Sequence, residues 1–193
     1  NKKMKIQKIN KSSITDKDIS NYKQAISKLN GFMFTAADVD IDKRIITIRL
    51  GNIEDELTLV NPTVTERSDE MVVYFERDST KNKTRKTVRH RWFKVDTDNL
   101  GIVEFSSDKE SWKNENEFMN DIGLFECVLA QRLIDSIDGI DVTSPLRRYN
   151  PQVTANKTPG RNERVMLQGP NGEMQFVKYK NAQPLLNQGY QLV

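Results

Sequence analysis

Residues 126–139 read Glu-Cys-Val-Leu-Ala-Gln-Arg-Leu-Ile-Asp-Ser-Ile-Asp-Gly, and this stretch decides the fold. Apolar residues in and before it recur at spacings of three and four, which places them on one face of an amphipathic helix. They are Phe118, Ile122, Phe125, Leu129, Leu133 and Ile137. Gly139 is a typical residue just past a helix end, because glycine adopts the left-handed conformation needed there. The spacing therefore predicts a long helix over about 114–138.

The segments before this helix predict one shorter helix and five strands. Thr15 is a suitable N-cap followed by acidic residues, and Asn30-Gly31 is a stop signal, so a helix is expected over about 16–29. Apolar and polar residues alternate in five further segments, a pattern that favours strands. These are Arg44–Leu50, Glu56–Val60, Glu70–Glu76, Thr87–Asp96 and Gly101–Phe105. The order of these elements along the chain, a helix, then strands, then a long helix, indicates an α+β fold in which an antiparallel sheet packs on the long C-terminal helix.

The composition changes at about residue 143, so we expect two regions, 1–143 and 144–193. Three proline-containing breaks interrupt the second region, which carries seven basic and two acidic residues. A β-hairpin is expected around Gly169-Pro170-Asn171-Gly172, a strong turn signal, with strands at Arg164–Gln168 and Glu173–Tyr179. A short helix over about 180–188 and a last strand at Tyr190–Val193 would complete an irregular C-terminal arm.

The composition limits the possible functions. Within these 193 residues, no apolar run of about 18 residues predicts a membrane span, and no leader is expected. Cys127 is the only cysteine and His90 the only histidine, so neither a disulfide nor a two-histidine metal site can form within one chain. The net charge is only +3, with 30 basic and 27 acidic side chains, and nucleic acid is therefore not the expected partner.

The frame Gln131-x-x-Ile134-Asp135-x-Ile137-Asp138-Gly139 resembles the metal-binding helix of peptide deformylases, Gln-His-Glu-x-Asp-His-Leu-x-Gly. In that family, two histidines one turn apart hold a divalent metal ion, and the glutamate between them moves the proton. Here the histidine positions carry Arg132 and Ser136, and the glutamate position carries Leu133. Arginine offers only donors and cannot ligate a metal ion.

Two further segments extend the resemblance over about 15–142. The stretch Gly31–Ile48 is similar to the first deformylase motif and the strand after it, with matches at Gly31, Ala36 and Val39. Asp38 stands at the glutamine of that motif, which stabilises charge on the attacked carbonyl oxygen. The segment Glu76–Thr80 is similar to the second motif, Glu-Gly-Cys-Leu-Ser, with Asp78 at the metal-binding cysteine. The resemblance implies a deformylase-like fold in which these positions converge.

The substitutions at these positions predict a protein without a metal, a cofactor or catalytic activity. We therefore expect a structural protein of a tailed-phage virion, in the head, neck or baseplate. It would contact other structural proteins, or further copies of itself, through its C-terminal arm. The alternative is a peptide-binding or regulatory pseudoenzyme that uses the former cleft. No contact with a membrane is expected.

Two charge arrangements are predicted on this framework. Arg132 would lie between the carboxylates of Asp38 and Asp78 in place of the metal ion, unless it is solvated or pairs with Asp135. The second arrangement is a basic hairpin, which is either a solvated surface or a phosphate contact. Its members are Lys81, Lys83, Arg85, Lys86, Arg89, Arg91 and Lys94.

Overall fold

The computed structural model describes residues 4–50, 56–78, 83–106, 122–149 and 159–192. It divides the chain into two units, Asn1–Tyr149 and Asn150–Val193. Residues 144–149 belong to the first unit, whereas the sequence pattern placed them in the second region. They do so because the chain runs beside a strand there: Val88 N donates to the Arg147 carbonyl (3.2 Å), and Tyr149 N donates to that of Lys86 (3.3 Å).

The first unit is an α+β fold with antiparallel sheets, as predicted. Within the described residues, its α-helices are α1 (Asp16–Ser27) and α2 (Ile122–Ile137). The strands are β1 (Met33–Thr35), β2 (Ile45–Arg49), β3 (Glu56–Val60), β4 (Thr63–Arg67), β5 (Met71–Asp78), β6 (Lys83–His90), β7 (Trp92–Thr97) and β8 (Gly101–Ser106). They pair as β1-β2-β3, β4-β7-β8 and β5-β6, and every pairing is antiparallel.

The main core lies between α2 and the sheets. Leu133 and Ile137 of α2 are fully buried together with Ile46 of β2 and with Phe93 and Phe105 of β7 and β8. The rings of Phe93 and Phe105 stack with their centroids 5.1 Å apart. A smaller cluster packs Tyr22 and Ile26 of α1 against β1 and β2. Apolar burial thus fixes the orientation of α2 against the sheets. Its polar residues Gln131 and Asp135 then form hydrogen bonds with β6.

Several predicted bounds change in the structure. The predicted strand Thr87–Asp96 is two strands, β6 and β7, because the chain breaks at Arg91 and changes its partner from β5 to β4 and β8. The pattern missed β1, which is too short to alternate, and β4. The described part of the long helix begins at Ile122, and the predicted start at 114, with Phe118, lies outside the described residues.

The second unit contains β9 (Arg164–Gln168), β10 (Met174–Lys178), β11 (Gln191–Leu192) and a short helix α3 (Gln183–Asn187). The strands form an antiparallel sheet in the order β10-β9-β11, so β9 is central. Val165, Leu167 and Ala182 form its small core. Among the described residues of the chain, no helix is long and apolar enough to cross a membrane.

Gly139 ends α2 in the left-handed conformation, with φ +78°. A Cβ there would meet only Lys8, at 3.6 Å, so backbone strain is the sole cost of a side chain. We expect Gly139→Ala to lower the free energy of unfolding by about 1–2 kcal/mol, measured by urea denaturation. Gly139→Asn is the matched control and should cost less, because asparagine tolerates this conformation. Equal stability of Gly139→Ala and the wild type would contradict this explanation of how the helix ends.

Candidate functional site

A buried arginine joins the hairpin β5-β6 to helix α2. Arg89 of β6 is fully buried, and all three of its guanidinium nitrogens donate to carboxylates. Nε and Nη2 each donate to an oxygen of Glu76 at 2.8 Å, and Nη1 donates to Oδ2 of Asp135 at 2.5 Å. This fork geometry is the arrangement in which arginine binds carboxylates most strongly.

A second arginine closes the same network from the other side of Asp135. Arg147 Nε donates to Oδ2 of Asp135 (2.6 Å), and its Nη2 donates to Oδ1 (2.7 Å). The segment after α2 is therefore held against the helix and beside β6. The hydroxyl of Thr87 also donates to Glu76. Glu76 and Asp135 are thus both bound by more than one donor.

The charges in this network determine the protonation of Glu76. Burial alone raises the pKa of Glu76, but the charge and hydrogen bonds of Arg89 outweigh burial, so its pKa lies below the ordinary value. Burial also acts to lower the pKa of Arg89, and the charge of Glu76 reverses that effect. Both side chains are consequently charged in the folded protein, as a buried ion pair requires.

The network brings together the segments that the sequence resemblance selected. Glu76 opens the second motif segment, and Asp135 lies in the helix motif. A direct hydrogen bond also joins the two motif segments, because Arg132 Nη2 in the helix donates to the carbonyl oxygen of Arg77 at 2.8 Å. Gln131 adds a further link, since its side-chain amide exchanges two 2.8 Å hydrogen bonds with the backbone of His90.

Arg132 has an incomplete set of partners. Its side chain is only 6% exposed, and its Nε is buried without a hydrogen-bond partner in the part of the chain that the structure describes. Burial lowers the pKa of Arg132, while the negative charges of Glu76 and Asp78 act in the opposite direction. Because a buried donor without a partner costs about 1–3 kcal/mol, a hydrogen bond donated by this N–H to a ligand oxygen would be favourable.

The two carboxylates predicted to flank Arg132 have other partners. Oδ1 of Asp38 accepts from the backbone amide of Lys5 (2.8 Å), and its Oδ2 accepts from that of Thr35 (2.9 Å). Asp78 accepts from Arg85 Nε at 3.0 Å. Among the described residues, no ion pair within 4.0 Å joins Arg132 to either carboxylate. The direct charge cluster is therefore not formed in this structure.

The remaining two motif positions are buried in the core. Leu133 and Ser136 have no exposed surface, and Ser136 Oγ donates to the Leu133 carbonyl oxygen at 2.6 Å. Leu133 packs in the main core cluster, as the sequence predicted for an apolar residue there. Neither side chain is available to a ligand without a change of conformation.

These residues do not fit the divalent metal ion that the deformylase motif holds. Of the three ligand positions, Asp78 alone offers a metal-binding oxygen, Arg132 offers only donors, and the hydroxyl of Ser136 is bonded within its helix. Across the described ranges, no group of three or more histidine, cysteine or acidic residues could hold an ion. A tetrahedral catalytic site needs three protein ligands and one open position.

The predicted basic hairpin is largely paired rather than free. Arg89 is buried in the network, and three other cations have carboxylate partners: Arg85 with Asp78, Arg91 with Glu70 and Lys94 with Glu66. Lys86 lies over the ring of Tyr149 at 4.6 Å. Lys83 begins β6, and Lys81 lies outside the described residues.

Cys127 and His90 take structural places. Cys127 is fully buried, and burial raises the pKa of its thiol to about 12, so the thiolate that a nucleophile needs is scarce near neutral pH. His90 lies half-buried at the end of β6, with Nδ1 at 2.8 Å from the carbonyl oxygen of Ser68. The sequence analysis placed neither in a catalytic role.

The sequence patterns did not reveal the roles of Arg89 and Arg147. Arg89 was counted with the surface cations of a hairpin, although the alternation along β6 places residues 85, 87 and 89 on one face. The paired strand carries Glu76 on the same inner face, which was the available signal. No pattern identified Arg147, because it lies in an irregular segment where no periodicity indicates which way its side chain points.

Comparisons with known proteins agree on one family. The model of the polypeptide deformylase family matches residues 1–152. Among solved structures, peptide deformylase 1B of Arabidopsis thaliana is 18% identical with a TM-score of 0.57, covering 79% of this chain and 83% of that one. A probable peptide deformylase of Synechococcus phage S-SSM7 is 22% identical with a TM-score of 0.53, covering 73% and 97%. The Thermotoga maritima enzyme is 15% identical with a TM-score of 0.53, covering 75% and 90%. At these identities the solved structures show the fold alone. No curated protein matches.

These findings correct the functional predictions made from the sequence. The match over residues 1–152 is to an enzyme family, and the structures matched are peptide deformylases. The prediction that the chain is not an enzyme is therefore wrong, as are its interpretations as a virion structural protein and as a pseudoenzyme. The comparisons give no support for a loss of activity. The error came from treating substituted motif positions as a loss of function.

The depressed pKa of Glu76 predicts a specific pH dependence of stability. A carboxylate with a lowered folded pKa contributes stability above its unfolded value, about 4.3, and loses it as the pH falls through the folded pKa. We expect Glu76→Gln to lower the free energy of unfolding by about 3 kcal/mol at pH 7, and this difference to shrink below about pH 4. Urea denaturation between pH 7 and pH 3 measures it.

The control for this experiment is Glu66→Gln. Glu66 pairs with Lys94 at the surface, at 3.2 Å, and is more than half exposed, so its loss should change stability little at any pH. A difference between the wild type and Glu76→Gln that stays constant down to pH 3 would contradict the assigned ionisation of Glu76.

Proposed function

This chain belongs to the polypeptide deformylase family, and we propose that it removes the formyl group from the amino terminus of polypeptides. The proposed reaction adds one water to the formyl amide and breaks its C–N bond. The formyl carbon leaves as formate, and the polypeptide keeps a free amino group. The family match over residues 1–152 is the observation that carries this proposal.

The contacts between the motif segments support the proposal. Glu76 and Asp135 stand at motif positions of the family frame, and Arg89 binds both within a fully buried network. Such a network tolerates little displacement, because a buried charge without its partner is costly. The segments that form the deformylase site are therefore held together in this chain by its own side chains.

Arg132 is the residue that we assign to the substrate. Its Nε is buried without a partner among the described residues, and it stands at the first metal-ligand position of the motif. Because Nε is itself buried, a local movement must bring it to the formyl oxygen, where it donates to that oxygen and stabilises the negative charge that develops on it. The ligand positions do not fit a divalent metal ion. The role that we assign to Arg132 is therefore to bind and orient the formyl carbonyl.

Two other expectations stay proposals. A phage origin is supported by the fold shared with the probable deformylase of Synechococcus phage S-SSM7.

A protein partner for the second unit is supported by its exposed apolar surface, since Met166 and Phe176 lie opposite each other on β9 and β10, both at least 40% exposed. A further copy of the chain is the simplest partner for this surface.

The proposed activity predicts formate release from a formylmethionyl peptide by the purified full-length chain. We expect Arg132→Gln to lower kcat/KM about 10- to 100-fold, because one charge-assisted hydrogen bond of about 1.5–3 kcal/mol is lost. Formate is measured by a coupled dehydrogenase assay, with and without added divalent metal ions. Circular dichroism and thermal unfolding establish that each variant is folded.

Arg91→Gln is the matched control, because Arg91 pairs with Glu70 outside the motif positions. It should retain wild-type kcat/KM. If the folded wild type releases no formate, with or without metal ions, the proposed function is wrong. If Arg132→Gln equals the wild type while formate is released, the activity stands and the assignment of Arg132 is wrong.

A further inference from the structure

The first unit contains a cavity on the face of α2 opposite the substituted motif positions Arg132, Leu133 and Ser136. It has a volume of about 360 Å³ and is bordered on α2 by Gln131, Ile134, Asp135 and Asp138. With 3.6 residues per turn, these four residues share one face of the helix, whereas residues 132, 133 and 136 share the opposite face. The cavity therefore lies behind the helix, away from the candidate deformylase site.

The walls of the cavity are half apolar and half polar or charged. Val64 of β4, Met71 of β5 and Phe93 of β7 line it from the strands, and Ile134, Ile140 and Leu146 line it from α2 and the segment that follows. A volume of 300–1,000 Å³ with apolar walls and a few polar groups is typical of small-molecule sites. The cavity thus has the size and surface for the apolar body of a ligand.

The charged groups of the lining are unequally satisfied. Asp135 accepts from Arg89 and from two nitrogens of Arg147, and Asp138 accepts from Arg44 at 2.7 Å. Arg67, at the exposed end of β4, has no ion pair within 4.0 Å among the described residues. The two carboxylates of the lining are thus paired, as is Arg147, and the positive charge left over is that of Arg67, which favours an anion at that end of the cavity.

We propose that this cavity binds a small carboxylate with an apolar body, with the carboxylate paired to Arg67 and the apolar body against Phe93 and Ile134. The pairing gives a bidentate contact at the exposed end, and the apolar burial supplies the remaining affinity. The ligand is either a free aliphatic or aromatic acid or the carboxyl terminus of a peptide that ends in an apolar residue. This site is independent of the proposed deformylase activity.

The test uses the full-length chain and 3-phenylpropionate as the probe, titrated by isothermal calorimetry and by ligand-observed NMR. We expect saturable binding with a Kd in the millimolar range or below, and a Kd at least about fivefold higher for Arg67→Ala. The uncharged 3-phenylpropanamide should bind as weakly to the wild type as the acid binds to Arg67→Ala. Arg67 is exposed, so this variant should fold as the wild type does.

Two variants serve as controls. Lys94→Ala removes a cation of the neighbouring strand that does not line the cavity, and it should leave the Kd unchanged. Val64→Phe places a larger side chain in the cavity wall and should weaken binding of the acid and the amide alike. A peptide that ends in phenylalanine, compared with its C-terminal amide, distinguishes a peptide ligand from a free acid.

Absence of saturable binding, or an equal Kd for the wild type and Arg67→Ala, would overturn the proposal. Equal affinity for the acid and the amide would do the same, because it would show that Arg67 does not select a charge. Formate release by the same preparation is unaffected by any of these results, so the two proposals fail separately.

Discussion

The fully buried guanidinium of Arg89 is the constraint on which the first unit depends. It has no exposed surface, and it binds two oxygens of Glu76 and one of Asp135. Moving such charges out of water is expensive, and only complete hydrogen bonding offsets the cost. Removing one partner from a buried pair costs about 3–5 kcal/mol, so β5, β6 and α2 are held in one relative position.

The same network organises both faces of α2. On one face, Arg132 is bonded to the Arg77 carbonyl and keeps a buried nitrogen without a partner among the described residues. On the other face, Asp135 borders the cavity and is saturated by Arg89 and Arg147. Because Asp135 is paired with Arg89 and Arg147, the cation of the lining that has no ion-pair partner among the described residues is Arg67. One helix thus separates the candidate deformylase positions from the cavity.

Local patterns predicted much of the fold but little of the network. The bounds of β3, Glu56–Val60, agree with the alternation of its residues, and Thr15 is the N-cap as predicted, with a capping box to Asp18. Periodicity missed the break at Arg91, because a change of strand partner leaves no mark in a continuous alternating segment. It also could not distinguish the buried Arg89 from its exposed neighbours. Burial of a charge depends on partners such as Asp135, which are remote in sequence.

The motif positions show a different limit. The family frame was predicted from Gln131, Asp135 and Gly139, and the family match confirmed the family. The step from substituted ligand positions to a protein without activity was wrong, because the identity of a side chain at one position does not establish what the complete site does. The orphaned nitrogen of Arg132 could be found only in three dimensions, where its burial and its single bonded neighbour are visible.

The most direct test of this account is a double-mutant cycle between Arg89 and Asp135, measured as the free energy of unfolding in urea. Arg89→Met, Asp135→Asn and the double variant isolate the energy of the pair that joins the hairpin to the helix. The account predicts a coupling energy of about 2 kcal/mol or more. Effects that add to within about 0.5 kcal/mol would contradict it, because the two side chains would then stabilise the fold independently.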